Sequence, residues 1–131
     1  MMIFSINVFA NKVLYLKLNN KNLAHPYFNA GFACEQIALN YIPNEKLILS
    51  IQNTGNIELI NITSSLPSEF LGAVDISYNN CANLAIGGVC EITYQTNGNP
   101  PIDEDFHVIT IKPSNQEISV SFELKLCAQC G

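Results

Sequence analysis

The sequence predicts an all-β domain, and three observations support this fold class. Short runs rich in Ile, Val, Leu, Phe and Tyr recur about every ten residues, turn residues separate them, and no window shows a convincing helical period. Such spacing is typical of a sandwich or barrel rather than of βαβ units. The 131 residues suit one domain, 1–131, and a hydrophobic content of 48% is enough for a core.

The strands are predicted in chain order from β-rich composition and alternation. Ile3–Phe9 and Lys12–Leu18 form a hairpin or bent strand around Ala10-Asn11, and the polar segment Asn19–Asn22 forms a loop. His25-Pro26 requires an extended or turning chain, because the residue before proline avoids the α region. The further strands are Ile37–Tyr41, Leu47–Gln52, Ile57–Ser64, Ala73–Tyr78, Val89–Gln95, Phe106–Lys112 and Ile118–Leu126.

Proline, asparagine and glycine mark the turns between these strands. Pro43-Asn44 is a turn pair, Asn53–Asn56 offers Gly55 for a positive φ, and Asn97–Pro101 is a turn cluster. Pro67 interrupts the chain, and Phe70-Leu71 behind it is predicted to be a hydrophobic anchor.

Charge and hydropathy limit the classes of partner. The net charge is −5 and the sequence has no basic stripe, which argues against nucleic acid. No apolar run approaches the roughly 18–20 residues that span a bilayer, so no membrane span is predicted. Met1–Leu18 alternates apolar and polar residues and contains Lys12, which favours folded strand over a secretory signal.

The order of features from Leu47 to Leu126 resembles the ASH/Hydin-type immunoglobulin-like domains, relatives of the major sperm protein fold that are common in bacterial exported proteins. The residues that carry this resemblance are Leu49–Asn56 (strand and Asn-Thr-Gly turn), Leu59–Ile62, Phe70 after a proline, Cys81, Leu84, Gly87-Gly88 and Cys90 leading into Glu91–Tyr94. The chain departs from the family at Gln95–Asn97, where a proline is usual, and at Cys127–Gly131, where a Gly-rich strand end is usual.

The resemblance implies an immunoglobulin-like antiparallel β-sandwich with a binding or scaffolding role and no catalytic residues. Residues 46–126 would form the core that matches the family. Residues 1–45 would add an N-terminal hairpin or strand, and residues 127–131 a cysteine-containing tail.

Cys81 and Cys90 are the strongest candidates for a disulfide. Gly87-Gly88 between them lets the chain turn back, and the family resemblance supports the pairing. Two buried free thiols are the alternative. The disulfide would imply an oxidising compartment, which means a periplasmic, outer-membrane-associated or secreted protein.

Cys127 and Cys130 form a C-x-x-C with three interpretations: a structural disulfide, free thiols, or a metal or redox site. A redox motif needs a helix N-terminus, which is not predicted, and zinc needs two further ligands. Cys34, His25 and His107 match no zinc spacing. We favour a structural disulfide, either local between Cys127 and Cys130 or linked to Cys34, with Cys34 paired to Cys127 or Cys130 as the expected bridge.

No other motif indicates chemistry. Asp103-Glu104-Asp105 could bind calcium, but such a triplet is more often a solvated loop. Neither a phosphate loop nor a Ser-His-Asp order is present, and His25 and His107 are interpreted as structural. We therefore predict no catalytic residue, no metal site and no cofactor.

Aromatic residues crowd the first quarter of the chain. Phe4, Phe9, Tyr15, Tyr27 and Phe28 are interpreted first as a core face with a packed loop, and alternatively as an apolar docking surface.

The expected function is a non-catalytic protein–protein interaction or structural assembly module of the bacterial cell envelope. Its partners would be proteins, and the chain would be a subunit of a larger secretion or surface complex. Docking would use an exposed strand edge, with Met1–Leu18 as the favoured element. The alternatives are a metal-binding or thiol-redox protein that uses Cys127 and Cys130, and a sandwich that binds a small ligand or carbohydrate.

Overall fold

A computed structural model describes residues 14–19, 21–22, 27–28 and 36–130. Regular structure in these ranges is nearly all β, with a single 3₁₀ turn at Ser68–Phe70, so the all-β prediction is confirmed. The strands are β1 (Leu14–Leu18), β2 (Lys21–Asn22), β3 (Tyr27–Phe28), β4 (Gln36–Asn40), β5 (Lys46–Asn53), β6 (Leu59–Ile60), β7 (Thr63–Ser64), β8 (Val74–Asn79), β9 (Asn83–Leu84), β10 (Val89–Thr96), β11 (His107–Lys112) and β12 (Val120–Cys127). The predicted strand Ile3–Phe9 lies outside the described residues.

The first sheet has the order β2-β1-β5-β10-β8, and all of its pairs are antiparallel. Its centre is the pairing of β5 with β10, in which Leu49 lies opposite Ile92 and Ile51 lies opposite Cys90. Burial alternates along β5, because successive side chains of a strand point to opposite faces. One face of this sheet is therefore core and the other faces solvent.

The second sheet has the order β3-β12-β11-β7, and β4 pairs with β12 in parallel. The parallel register runs from Gln36 opposite Glu123 to Asn40 opposite Cys127. This pairing differs from the antiparallel sandwich that the sequence predicts, because β4 and β12 run in the same direction. β6 and β9 form a separate two-stranded sheet.

One predicted strand is divided in the structure. Ile57–Ser64 becomes β6 and β7, since Asn61 between them has a φ of 48°, a left-handed conformation that interrupts a ladder. Gly55 is not among the described glycines with a positive φ, which are Gly72, Gly87 and Gly98. The turn at Gly55 instead uses a side chain, because its N–H donates to Asn53 Oδ1 at 3.0 Å.

Buried side chains of both large sheets form one hydrophobic core. Phe70 is 1% exposed and belongs to it, whereas Leu71 is 58% exposed, so the predicted anchor consists of Phe70 alone. Burying a side chain of this size contributes roughly 1.5–3 kcal/mol to the free energy of unfolding. No helix in the described ranges has the length and apolarity that a membrane crossing requires.

A hydroxyl pair connects the two large sheets through this core. Tyr94 on β10 is 1% exposed, and its hydroxyl lies 2.6 Å from Ser64 Oγ on β7. Burial raises the pKa of Tyr94, and the hydrogen bond with Ser64 partly opposes that effect. The buried phenol is thus kept neutral and hydrogen-bonded.

Asn53 is the last residue of β5 and lies at the end of the core where this strand finishes. It is fully buried, and its Nδ2 donates to Ile57 O at 2.8 Å and to Leu84 O at 3.0 Å. Its own backbone N–H donates to Gly88 O at 3.0 Å. The Asn53 side chain therefore satisfies backbone carbonyls from two separate segments, the turn before β6 and the strand β9.

Replacing Asn53 with Ala should lower the free energy of unfolding by about 2–4 kcal/mol, because the buried Leu84 carbonyl and the partly buried Ile57 carbonyl lose their donor. Asn97→Ala is a matched control, since Asn97 donates to Gly72 O at 2.7 Å but is exposed, and a loss of about 0.5–1.5 kcal/mol is expected. Urea unfolding of the oxidised proteins measures both values. Equal losses would contradict the assigned role of Asn53.

Candidate functional site

Several strands begin or end together at one end of the molecule. Lys46 at the start of β5 pairs with Gln95 near the end of β10, and Asn40 at the end of β4 pairs with Cys127 at the end of β12. The connecting segments 41–45, 71–73, 97–106 and 128–130 therefore meet there, and we call this set the loop end. Loops held on a sheet framework are frequent sites of binding.

Thr96 fixes one part of the loop end. Its side chain is buried, and Oγ1 accepts from the Glu45 N–H at 2.7 Å and donates to Ile42 O. The segment 41–45 is thereby attached to the end of β10.

The polar side chains of Tyr41 and Asn97 order the segment 97–106, which follows Thr96 in the chain. The Tyr41 hydroxyl accepts from the Gly98 N–H at 3.0 Å and donates to Asn99 O at 2.6 Å. Asn97 reaches Gly72 O, which connects 97–106 to 71–73. Gly98 has a φ of 101°, a conformation that a residue with a side chain rarely adopts.

Three large aliphatic side chains project from these ordered loops. Ile42 is 49% exposed, Leu71 is 58% exposed and Ile102 is 79% exposed. Single exposed apolar residues are ordinary, but three on loops that meet at one end form a surface suited to a partner.

A groove of about 310 Å³ is lined in part by the chain neighbours of Ile42 and Ile102. Its lining includes two buried residues from the end of β12, Leu126 and Cys127, together with Tyr41, Pro43, Pro100, Pro101 and Glu104. Glu104 Oε2 accepts the Ala128 N–H at 3.0 Å, which fixes the carboxylate at the groove.

His107 lies between two carboxylates near the loop end. Its Nε2 is 2.7 Å from Asp103 Oδ1, and its Nδ1 is 3.6 Å from Glu69 Oε1. The ring also meets Phe70 edge-on at a centroid distance of 5.3 Å. The hydrogen bond from His107 lowers the pKa of Asp103. Because both ring nitrogens face carboxylates, this histidine is not arranged as a base for a serine or cysteine nucleophile.

The structure joins the cysteines in two local pairs. Cys81 and Cys90 form a disulfide with a Cα–Cα distance of 5.3 Å, as the sequence predicts. Cys127 pairs with Cys130 at a Cα–Cα distance of 5.4 Å, which is the local one of the two expected arrangements rather than a bridge to Cys34. Cys34 lies outside the described residues.

The predicted aromatic candidates do not lie at the loop end where the structure describes them. Tyr15 is 36% exposed and lies with Val89 in a depression of about 200 Å³ on the outer face of the first sheet. Tyr27 and Phe28 form β3, and Phe4 and Phe9 lie outside the described residues. The sequence did not lead us to Ile42 and Ile102. Both are apolar residues within turn segments, at Ile42-Pro43 and Pro101-Ile102, and this was the signal that could have indicated them.

Charge is concentrated at the loop end. Six of the eleven acidic residues lie on it or beside it: Glu45, Glu69, Asp75, Asp103, Glu104 and Asp105. Of the lysines with described side chains, only Lys46 and Lys125 are next to it. Within the described ranges no group of three or more His, Cys, Asp or Glu side chains is placed to hold a metal ion.

No family model matches the chain, and no curated protein matches it. Among solved structures, the secreted serine protease VesC from Vibrio cholerae is similar, with a TM-score of 0.51 and 18% identity over 79% of this chain. The Vibrio cholerae VesB protease has a TM-score of 0.49 and 11% identity, over 79% of this chain and 32% of its own length. This chain spans 23% of the VesC chain, and identity at this level indicates a shared fold alone.

Removing the Cys81–Cys90 disulfide by a double Ala substitution should lower the free energy of unfolding by roughly 2–4 kcal/mol. The Cys127–Cys130 pair closes a shorter loop, so its removal should cost roughly 2 kcal/mol or less. Chemical denaturation of the two double variants compares them. A larger loss from the tail pair would contradict the loop-length argument.

Replacing His107 with Phe should raise the pKa of Asp103 toward its ordinary value, because the imidazole hydrogen bond is lost while the ring packing is kept. Asp103 has a lowered folded pKa, so its contribution to stability is present above the ordinary Asp pKa of about 4 and is lost as pH falls through the folded value. Carboxyl NMR titration measures the change, with Val108→Ala as control. The same Asp103 pKa in both variants would contradict the assignment.

Proposed function

We propose that this chain is an immunoglobulin-like β-sandwich that acts as a non-catalytic interaction module, with the loop end as its binding surface. The observation that carries the proposal is the display of Ile42, Leu71 and Ile102 on loops that are held by buried or doubly bonded polar side chains. Loops ordered before binding lose less conformational entropy when a partner docks.

Two features support the sandwich. The two large sheets contribute to one core, and Tyr94 and Ser64 connect them by a hydrogen bond. The parallel strand β4 is compatible with this architecture, since it lies at the edge of its sheet. The Cys81–Cys90 bridge lies within the segment that resembles the ASH/Hydin-type domains.

The placement of the polar side chains supports a non-catalytic role. The His107 ring is held between Asp103 and Glu69, and the Tyr41 hydroxyl at the groove is already bonded to backbone groups. The groove therefore presents mainly apolar surface and one carboxylate, which suits binding better than bond cleavage.

Two disulfides support a location in an oxidising compartment. We accordingly place the protein in the periplasm, at the outer membrane or outside the cell, as one component of a larger envelope assembly. The similar VesC protein is described as secreted, which agrees with this placement.

The loop end replaces Met1–Leu18 as the favoured docking element. Leu14, Leu16 and Leu18 are at most 2% exposed and β1 lies between β2 and β5, so this half of the segment is part of the core. Docking through the other half would use residues outside the described ranges.

The combined variant Ile42→Ser, Leu71→Ser and Ile102→Ser should release the protein partner, because it removes the exposed apolar surface of the loop end. The measurement is quantitative mass spectrometry after in situ cross-linking and purification of the tagged chain from the envelope of its own cells. At least a tenfold loss of the main cross-linked protein is expected.

The matched control is Ile57→Ser, Ile86→Ser and Val89→Ser. These residues are 43%, 60% and 62% exposed and lie toward the opposite end of the molecule. Their replacement should leave the cross-linked protein in place. Loss of the partner in the control alone, or no specific partner with the unaltered chain, would overturn the proposal.

A further inference from the structure

We propose that the groove binds an extended segment of a partner protein that carries a Lys or Arg next to apolar residues, and that Glu104 selects the basic side chain. This inference rests on the proposed function, because it names the partner chemistry of the same surface. Three observations carry it: the lining of the groove, the use of its backbone groups, and the distribution of charge.

The lining suits apolar side chains of a narrow ligand. Leu126 and Cys127 are the most buried lining residues, and Tyr41, Pro43 and Pro101 are among the others. A volume of about 310 Å³ is at the lower end of the range for ligand sites. Aromatic and proline surfaces are rigid and bind extended segments with little entropic cost.

The groove offers few backbone groups to a partner strand. Its prolines have no N–H, and the Cys127 carbonyl already accepts the Tyr41 N–H at 2.8 Å. The Gly98 N–H is also used, since it donates to the Tyr41 hydroxyl. Recognition must therefore come from side chains rather than from addition of a strand to the sheet.

The charge of the surroundings favours a basic partner. Glu104 uses Oε2 for the Ala128 N–H, and the described contacts leave Oε1 available for a cation. The Lys125 ammonium lies 4.8 Å from the centre of the Phe106 ring, which directs it to the ring face. The six acidic residues on or beside the loop end attract a cationic segment and speed its association.

The first test uses a phage-displayed library of random ten-residue peptides, selected on the intact oxidised protein at low salt. Enrichment of sequences with a Lys or Arg beside Leu, Ile, Val or Pro is expected. Amide NMR shifts on adding a selected peptide should map to residues 41–43, 98–104 and 126–128. Enrichment of acidic or purely apolar sequences, or shifts that map elsewhere, would overturn the inference.

The second test measures the affinity of a selected peptide for variants. Glu104→Gln should weaken binding about five- to tenfold, because it removes the charge but keeps an oxygen for the Ala128 N–H. Glu91→Gln is the control, since Glu91 is exposed on the outer face of the first sheet. Equal effects of the two substitutions, or no loss in affinity with added salt, would overturn the role of Glu104.

The two proposals can fail separately. If the loop-end variant releases the envelope partner but no basic peptide binds the groove, the partner chemistry is wrong and the interaction surface stands. If the peptide binds through Glu104 but the loop-end variant retains its envelope partner, the groove chemistry stands and the proposed function is wrong.

Discussion

The antiparallel pairing of β5 with β10 is the contact around which the other elements are placed. Seven residue pairs, from Val89–Gln52 to Gln95–Lys46, set the register, and this register turns Leu49, Ile51 and Ile92 to one face. A shift by one residue would turn all of these side chains to solvent. β1 and β8 add to the two sides of this pair. Its two ends are then closed by buried polar side chains, Asn53 at one and Thr96 at the other.

The hydrogen bonds at the two ends of the β5–β10 pair hold different kinds of segment. At the Asn53 end, side-chain and backbone hydrogen bonds tie Ile57, Leu84 and Gly88 together next to the Cys81–Cys90 bridge, which stabilises the fold. At the Thr96 end, similar bonds hold loops that expose apolar side chains and carry most of the charge imbalance. Exposed apolar groups on ordered loops do little for folding, and this supports the binding role that we propose for the loop end.

The sequence predicted the strands well where burial alternates, as along β5, and also where an apolar strand is buried for much of its length, as along β10 and β12. It missed the division of Ile57–Ser64, because the left-handed conformation of Asn61 depends on contacts such as the Asn61 N–H to Ala82 O bond, formed with a distant loop. It assigned the Asn53–Asn56 turn to Gly55, whereas the Asn53 side chain forms that turn. The sequence did not indicate Ile42 and Ile102, because a single apolar residue in a turn forms no pattern and its exposure depends on the fold.

The sequence by itself determined the all-β class, because alternation and turn residues act between near neighbours in the chain. It favoured the Cys81–Cys90 pairing over free thiols, from the short loop between them and from the family resemblance. Only the tertiary structure decided that Tyr41, Glu104 and Cys127 share one groove, since these residues are far apart in sequence. Strand pairing and register bring them together, and both depend on long-range contacts that no local pattern specifies. The loop end is therefore a product of the fold, and the strands beneath it are a product of local sequence.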